Sequence, residues 1–547
     1  MTRIKKFCQS GEHFIWLTGG ALFISLFLVI GLLILIMSKG LISFWPFSAA
    51  MITLKDGSKI LGQETGTEII PQQELNNKNE PLYRTQYKIG NRDIYGLDFK
   101  WIDDRNVSAI EYPKEAVVIE RREWGNLYGF VKEVLNETET MSKGDKASWS
   151  MLNSQIVLSK NLFNKIKRIE KKDIEEVNKD IASIRRAIKR LQSKGYKNNI
   201  QIEHEINQLN SKLRNQEKIY LGIENKLNGL YEELRRIKAV IETAQGEEKT
   251  IFVGDIIRIY KPNEMSFLAK AIIYIEKVWE FIFSKPRESN TEGGVFPAIF
   301  GTFLMVIIMS IVVLPFGVLT AVYLTEYAKH GAFVGIVRVC INNLAGVPSI
   351  VYGVFGLAFF VYGFGGTIDR LFYSEILPTP TYGTGGILWS SLTLALLTLP
   401  VVIVSTEEGL NAVPQEVRHG ALALGANKFE TLTRIILPGA TPGILTGLIL
   451  AIARAAGEVA PLMITGVVKL APSLPVDGTF PFLHFDRKFM HLGFYIYDAG
   501  FQSPNVEASK PIVFAATLLL ILIVIILNLT AVLIRNYLRK RLFSTAF

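Results

Sequence analysis

Apolar residues are concentrated in six long runs, near 14–38, 296–325, 334–363, 385–405, 441–468 and 511–534. Each is long enough to cross about 30 Å of hydrocarbon, which takes roughly 20 residues of helix. The first follows Arg3, Lys5 and Lys6 but is about twice as long as a signal-peptide core, so it reads as a retained anchor. Residues 39 to about 290 have a different character. "MITLKDGSKILGQETG" and "RTQYKIGNRDIYGLDFKWIDD" carry short alternating runs broken by Asp-Gly and Gly-Asn, the pattern of β hairpins, and "KTIFVGDIIRIYKP" at 249–262 is a further strand-like run.

Between those pieces the period changes. Ile202, Ile206, Leu209, Leu213, Gln216, Tyr220, Ile223, Leu227, Leu230, Leu234, Ile237 and Ile241 alternate spacings of four and three, which is a heptad seam. An earlier strand of the same kind carries Leu162, Ile166 and Ile169, then Val177, Ile181, Ile184, Ile188 and Leu191, and "SKGYKNN" at 193–199 separates the two. The expectation is an antiparallel coiled-coil hairpin over about 155–243, roughly 60 Å long at about 1.5 Å per residue. A protruding arm that touches a partner and a rigid insert that packs on itself fit this pattern equally well. "SFLAKAIIYIEKVWEFIFSK", 266–285, is apolar but interrupted by Lys270, Glu276, Lys277 and Glu280, which predicts an amphipathic helix on the outer membrane surface, with a seventh crossing as the competing reading.

Composition sharpens this into an α-helical integral membrane protein of six spans with an extracytoplasmic α+β domain. Of 547 residues, 49% are hydrophobic, and they are clustered. The net charge of +10 comes largely from residues flanking the apolar runs or alternating with Glu in the helical stretch, so membrane orientation explains it and nucleic acid is not called for. Basic residues at the N-terminus, and Arg535, Arg539, Lys540 and Arg541 after the last run, place both termini in the cytoplasm and residues 41–290 outside it. The two cysteines, Cys8 and Cys340, support no disulfide framework.

Two stretches carry candidate chemistry. "VPQEVRHGALALGANKFETLTRIILPGATPG", 413–443, places Pro414 at a first helical turn and Gly425 at a left-handed helix end. A second amphipathic turn with Phe429, Leu432, Ile435 and Ile436 then runs to Pro438, so the expectation is an exposed knob of two short helices between the fourth and fifth spans. The second stretch, "ILAIARAAGEVAPLMITG" at 449–466, sets Arg454 and Glu458 four residues apart inside an apolar run. On one helix such residues share a face and neutralise each other. Either alone at mid-bilayer would cost about 2.5–3.5 kcal/mol or more. A structural salt bridge and a substrate path are both open readings; Arg favours the second, because its planar fork suits an oxyanion.

The spacing of Ala421, Gly425, Ile435, Leu437 and Pro438 resembles the EAA loop of ABC-importer permeases, the element that docks on the ATPase subunit. "GGVFPAIFGT" (293–302), "PFGVLTAVYLTEYA" (315–328), "AGVPSIVYGVFG" (345–356) and "LAIARAAGEVAPL" (450–462) are similar to the permeases of phosphate importers, the A-type subunit in particular, over residues 290–540. The resemblance implies a type I ABC-importer core over 291–547 in the bacterial inner membrane, with a coupling loop at 413–440. It implies an ATPase dimer, a second homologous permease and an extracytoplasmic phosphate-binding protein as partners, and it links Arg454 and Glu458 to phosphate passage. One departure stands out: His419, Gly420 and Ala421 occupy the place of the usual Glu-Ala-Ala, so Glu416, one turn earlier, is the candidate to supply the charge toward the ATPase.

Absences complete the reading. The chain has no G-x-x-x-x-G-K-[ST] phosphate loop, so ATP is expected to be used by a partner subunit, with no cofactor in this chain. His13, His204, His330, His419, His484 and His491 lack metal-ligand spacing, and no protease, kinase or hydrolase signature occurs. A permease for molybdate or sulfate, and a membrane-anchored sensor that uses the coiled-coil arm, are the alternatives to a phosphate permease.

Overall fold

The computed structural model describes residues 12–70, 82–137, 139–193, 200–329, 331–478 and 480–544. The chain divides into two compact units: Met1–Phe44 with Val295–Thr367 and Tyr382–Phe547, and Trp45–Gly294 with Ile368–Thr381. The basic cluster at Arg3, Lys5 and Lys6 lies outside the described residues, as does most of the 193–199 break.

Among the described residues, six helices are long and apolar enough to cross a membrane: Phe14–Ile42, Phe296–Tyr327, Ser349–Phe372, Ile387–Asn411, Lys428–Gly457 and Val506–Tyr537. A helix satisfies its own backbone, which is what a chain in hydrocarbon requires. The fourth is the most enclosed and packs between the second and the fifth, around Met305, Met309, Val313, Leu394, Val402, Ala451 and Ala455. Small residues set the approach of the fourth and fifth: a β carbon at Gly443 would stand 2.5 Å from the Gly409 α carbon, so the two backbones touch directly.

Two spans depart from the expected limits. The run at 334–363 is two helices, Ala332–Leu344 and Ser349–Phe372. Pro348 has no N–H to donate and biases Val347 away from helical backbone, so the helix stops and restarts. The run expected at 441–468 instead spans Lys428–Gly457. Pro438 does not end the second helix of the knob: a π turn over Leu432–Ile436 precedes it, and the chain continues straight into the span. The widened turn absorbs the hydrogen bond a proline cannot make.

Among its described residues the second unit holds two large antiparallel sheets and a two-stranded ribbon, Pro286–Arg287 against Glu292–Gly293. β1 (Ala50–Leu54), β2 (Lys59–Ile69), β3 (Tyr83–Lys88), β4 (Phe99–Asp103) and β5 (Val107–Glu111) form one, in the order β4-β3-β2-β1-β5. β6 (Val117–Arg121), β7 (Asn126–Asn136), β8 (Glu139–Lys143), β9 (Ile237–Glu242), β10 (Glu248–Phe252) and β11 (Ile256–Tyr260) form the other, in the order β10-β9-β7-β6-β11, with β8 also on β7. The Asp56-Gly57 turn joins β1 to β2 as its sequence predicts, with Gly57 at φ 84°. At the Gly-Asn step, Asn91 is left-handed and buried; its side-chain amide accepts from the Tyr128 N–H at 2.8 Å and donates to the Tyr128 carbonyl at 3.0 Å, pinning β7 beside the end of β3. The run at 249–262 is two strands, β10 and β11, parted by a turn at Val253–Asp255.

The helical hairpin rises from the second sheet as Asp145–Arg168, a π turn Ile169–Ile174 and Glu175–Ser193, and returns as Ile200–Arg236. Eight residues separate Ile169 from Val177, one more than a heptad, and the π turn takes up the extra residue so that both remain on the buried seam. Ile166, Ile169, Leu227 and Leu234 form its inner core, and Gln216 donates to Asp180 across the seam at 3.3 Å. The expected upper limit of the heptads is corrected here: Ile237 and Ile241 belong to β9, where Ile241 is fully buried between β7 and β10. Arg190, near the end of the ascending helix, pairs with Glu375 at 2.7 Å.

The predicted helix at 266–285 forms over Phe267–Phe283, capped by the Ser266 hydroxyl on Ala269 N–H. Its charged residues turn inward. Arg258 reaches Glu120 at 2.8 Å and Glu280 at 3.1 Å, and Lys277 reaches Glu120 at 2.7 Å. Burial works to raise the Glu120 carboxyl, but the Lys277 and Arg258 charges hold it down at about 2. Glu292, just before the second span, is different: burial pushes its carboxyl up to about 7, against the pull of Lys88.

A pH dependence of stability follows. From about pH 4.5, the ordinary value, to about 7, the folded unit keeps on Glu292 a proton that the unfolded chain has lost, so stability falls as pH rises through that window. Glu292→Gln removes this limb, while the opposite limb that Glu120 contributes below about pH 4.5 stays. In thermal melts of the full chain in detergent, the variant's advantage should grow between pH 4.5 and 7 and then level off. A pH-independent difference would contradict the assignment.

Candidate functional site

The knob is built by two local stop-and-start signals. Gln415–Ala423 is helical and ends in a Schellman arrangement: Ala426 N–H donates to Ala421 O at 3.2 Å and Gly425 N–H to Leu422 O at 3.0 Å, with Gly425 at φ 89°. Asn427 then opens the second helix with a reciprocal capping box to Glu430. Glu416 and His419 are exposed on the first helix and Ala421 is buried at its base. Leu424, 91% exposed, and Phe429 stand out at the tip, an apolar surface that no described residue covers. Ile435, Leu437 and Pro438 lie half-buried in the continuous helix that carries the knob into the fifth span.

Sequence reasoning missed what holds the knob. Arg418 donates to the Glu326 carboxylate and to the carbonyls of Leu410 and Val413, so it ties the first knob helix to the ends of the second and fourth spans. Lys428 donates to the Glu326 carbonyl and stands 4.7 Å from the centre of the Tyr327 ring. The available signal was Glu326 itself, an acid at the end of an apolar span in a chain whose loop between the fourth and fifth spans offers Arg418 and Lys428.

Arg454 and Glu458 do meet, Nε to Oε1 at 3.4 Å, and both are partly buried. They do not share one helix face. The helix ends at Gly457, and Glu458 is its cap with extended backbone at φ −75°, ψ 135°. The chain then turns into a short helix, Ala460–Thr465, with Pro461 in its first turn. That helix packs on the start of the third long helix so closely that a β carbon at Gly353 would lie 2.7 Å from the Pro461 α carbon. Its other end is held by Gly386 N–H on the Thr465 carbonyl and by the Ser390 and Thr465 hydroxyls at 3.0 Å. Glu458 therefore projects from a break in the helix whose two sides are fixed by different neighbours, with Arg454 in the last turn, where the helix dipole favours a cation.

A bundle of six candidate spans with a two-helix knob between the fourth and fifth and an ion pair at a helix break has the form of the membrane subunit of a transporter. Residues 313–544 match the family of binding-protein-dependent transport system inner membrane components. The chain is 34% identical over 250 residues to the phosphate transport system permease protein PstA 1 of Mycobacterium tuberculosis (strain ATCC 25618 / H37Rv), covering 46% of this chain and 72% of that one. It is 32% identical over 263 residues to the probable ABC transporter permease protein YqgI of Bacillus subtilis, covering 46% and 81%. To the phosphate transport system permease protein PstA of Mycobacterium leprae it is 40% identical over 172 residues, and there it spans 51% of the relative's length. The chain belongs to the PstA family of ABC transporter permeases.

Proposed function

We propose that this chain is the permease subunit of an ATP-driven importer that carries inorganic phosphate across the bacterial inner membrane. The observation that carries the reading is the 34% identity to a phosphate permease over most of that protein's length, beside the family match over residues 313–544, which hold both the knob and the Arg454–Glu458 pair. A second permease completes the pore, an ATPase dimer in separate chains docks on the knob, and an extracytoplasmic binding protein delivers the anion. When ATP closes the ATPases, the knob moves as one body. Its ties through Arg418 and Lys428 carry that motion to the ends of the second and fourth spans and alternate the access of the path. The positive-inside rule puts both termini in the cytoplasm and the Trp45–Gly294 segment in the periplasm, with its coiled-coil hairpin as an arm. Gentle purification from the native membrane should bring down an ATPase, a second permease and a phosphate-binding protein. In vesicles, uptake of labelled phosphate should resist competition by molybdate and sulfate; strong competition by either would reassign the substrate.

The arm is expected to be dispensable for transport. β9 sits immediately after the descending helix, so a cut must spare it: replacing 171–226 by a short linker keeps Ile166, Leu227 and Leu234 at the base and leaves the sheet intact. The trimmed chain gives up the Arg190–Glu375 pair but should reach the membrane, associate with its ATPase and keep uptake within about twofold. Loss of ATPase association would make the arm part of the permease's own scaffold.

A further inference from the structure

The helix Phe267–Phe283 has its polarity inside out. Leu268, Ile272, Ile275, Trp279 and Phe283 recur at spacings of four and three, and each is at least half exposed. The charged side faces the sheets: Lys277 donates to the Tyr260 hydroxyl at 3.0 Å and pairs with Glu120, Lys270 donates to Ser48 at 3.3 Å, and Arg258 bridges Glu276 and Glu280. A helix facing water would be turned the other way.

Both ends of this helix are held close to lipid by the covalent chain. The first span ends at Ile42, and Trp45, three residues or about 10 Å of chain later, packs with tilted rings against Phe267 at 5.5 Å and Tyr274 at 5.9 Å between ring centres. At the other end, Gly294 N–H donates to Lys285 O at 3.0 Å, and a β carbon on Gly294 would lie 2.4 Å from the Ser284 carbonyl oxygen. The linker thus folds back, and the residue next to the end of the helix is two positions from Phe296, where the second span begins. At 17 residues the helix is about 25 Å long, too short to cross the hydrocarbon itself.

We infer that this helix lies flat in the membrane surface on the side of the Trp45–Gly294 segment, with its apolar face among the lipid chains and its charged face carrying the sheets. The occupant of the exposed face is lipid, because both chain exits that flank it are membrane exits and because Trp45, Trp279 and Phe283 supply the aromatic residues that settle at headgroup depth. Both lysines of the helix turn inward, so the attraction is apolar and does not depend on anionic headgroups. The inference depends neither on which ion is transported nor on which side of the membrane this segment faces.

The test uses the full chain with Cys8→Ser and Cys340→Ser, and a single new cysteine at Ile272→Cys, or at Ile275→Cys as a second variant, carrying an environment-sensitive fluorophore. The labelled protein is placed in phosphatidylcholine vesicles that contain lipids with a nitroxide at the headgroup, at a shallow acyl position or at a deep one. Shallow nitroxides should quench about twofold or more, with no change when anionic lipid is added, whereas a probe at Leu221→Cys on the arm should be unaffected. Quenching no greater than at Leu221→Cys, with emission shifted to the blue, would mean that a protein covers the face. Strongest quenching by the deep nitroxide would mean a crossing helix. Either result overturns the inference.

Discussion

Gly425→Val is expected to abolish uptake while the permease still reaches the membrane at its normal level and ATP hydrolysis persists. No neighbouring atom lies within 4 Å of a β carbon built at this position, so that carbon itself meets open space. The main penalty is conformational. At φ 89° an L residue loses about 1–2 kcal/mol, and a β-branched one is the least tolerant. The chain relieves that strain most easily by re-forming the turn, which the Schellman bonds from Gly425 and Ala426 close. The base of the knob does not yield, since Arg418 and Lys428 pin it to Glu326. Strain is therefore released at the tip, where Leu424 and Phe429 stand exposed, and under the proposed coupling the ATPases lose their aim. A graded series supports the reading: Gly425→Asn should be the mildest, because asparagine tolerates left-handed backbone, Gly425→Ala intermediate and Gly425→Val the worst. Uptake and ATP hydrolysis measured side by side in proteoliposomes decide it. Normal uptake in Gly425→Val would remove the knob from the coupling path.

How much of this was legible beforehand depended on whether a feature is local. The six apolar helices, the Gly425 stop and the heptad seam through Leu227 and Leu234 are each dictated by residues a few positions apart, and they were read directly. The errors fall where a distant partner decides. Ile237 and Ile241 continue the heptad spacing, yet β7 and β10 claim them as a strand, and no property of the seam reveals that. Strands β5 to β8 were not anticipated, since their short runs acquire meaning only through pairing. Pro438 looked like a helix end because the π turn that accommodates it has no sequence signature. At the site, the spacing of four brings Arg454 to Glu458, but nothing in the apolar run marks the helix break at Gly457, Glu458 and Val459. The Arg418–Glu326 tie joins residues 92 positions apart and was invisible to any local pattern.

The helix break at Gly457 changes how the ion pair must be tested. Exchanging the two residues would not be a neutral control, because Arg454 sits in a last helical turn and an acid there loses about 0.3–1 kcal/mol to the helix dipole. Single substitutions separate the readings better. If Arg454 receives the anion, Arg454→Gln should raise the KM for phosphate and cut uptake by at least about tenfold, the equivalent of 1.4 kcal/mol, since Glu458 then faces the anion unopposed. Glu458→Gln should act in the opposite sense on binding. The unbalanced cation holds phosphate more tightly, so KM falls, but release slows and maximal uptake falls with it, because a conduction path must bind weakly enough to let go. Arg454→Lys should keep the charge and the pairing with Glu458, yet lose much of the uptake with the planar fork. A bridge that only holds the helix break together predicts none of this division: both neutral variants would then lower membrane level or uptake alike with KM unmoved, and lysine would restore function. Uptake against phosphate concentration for the three variants, normalised to the amount of permease in the membrane, is therefore the measurement that assigns Arg454 to the path or to the scaffold.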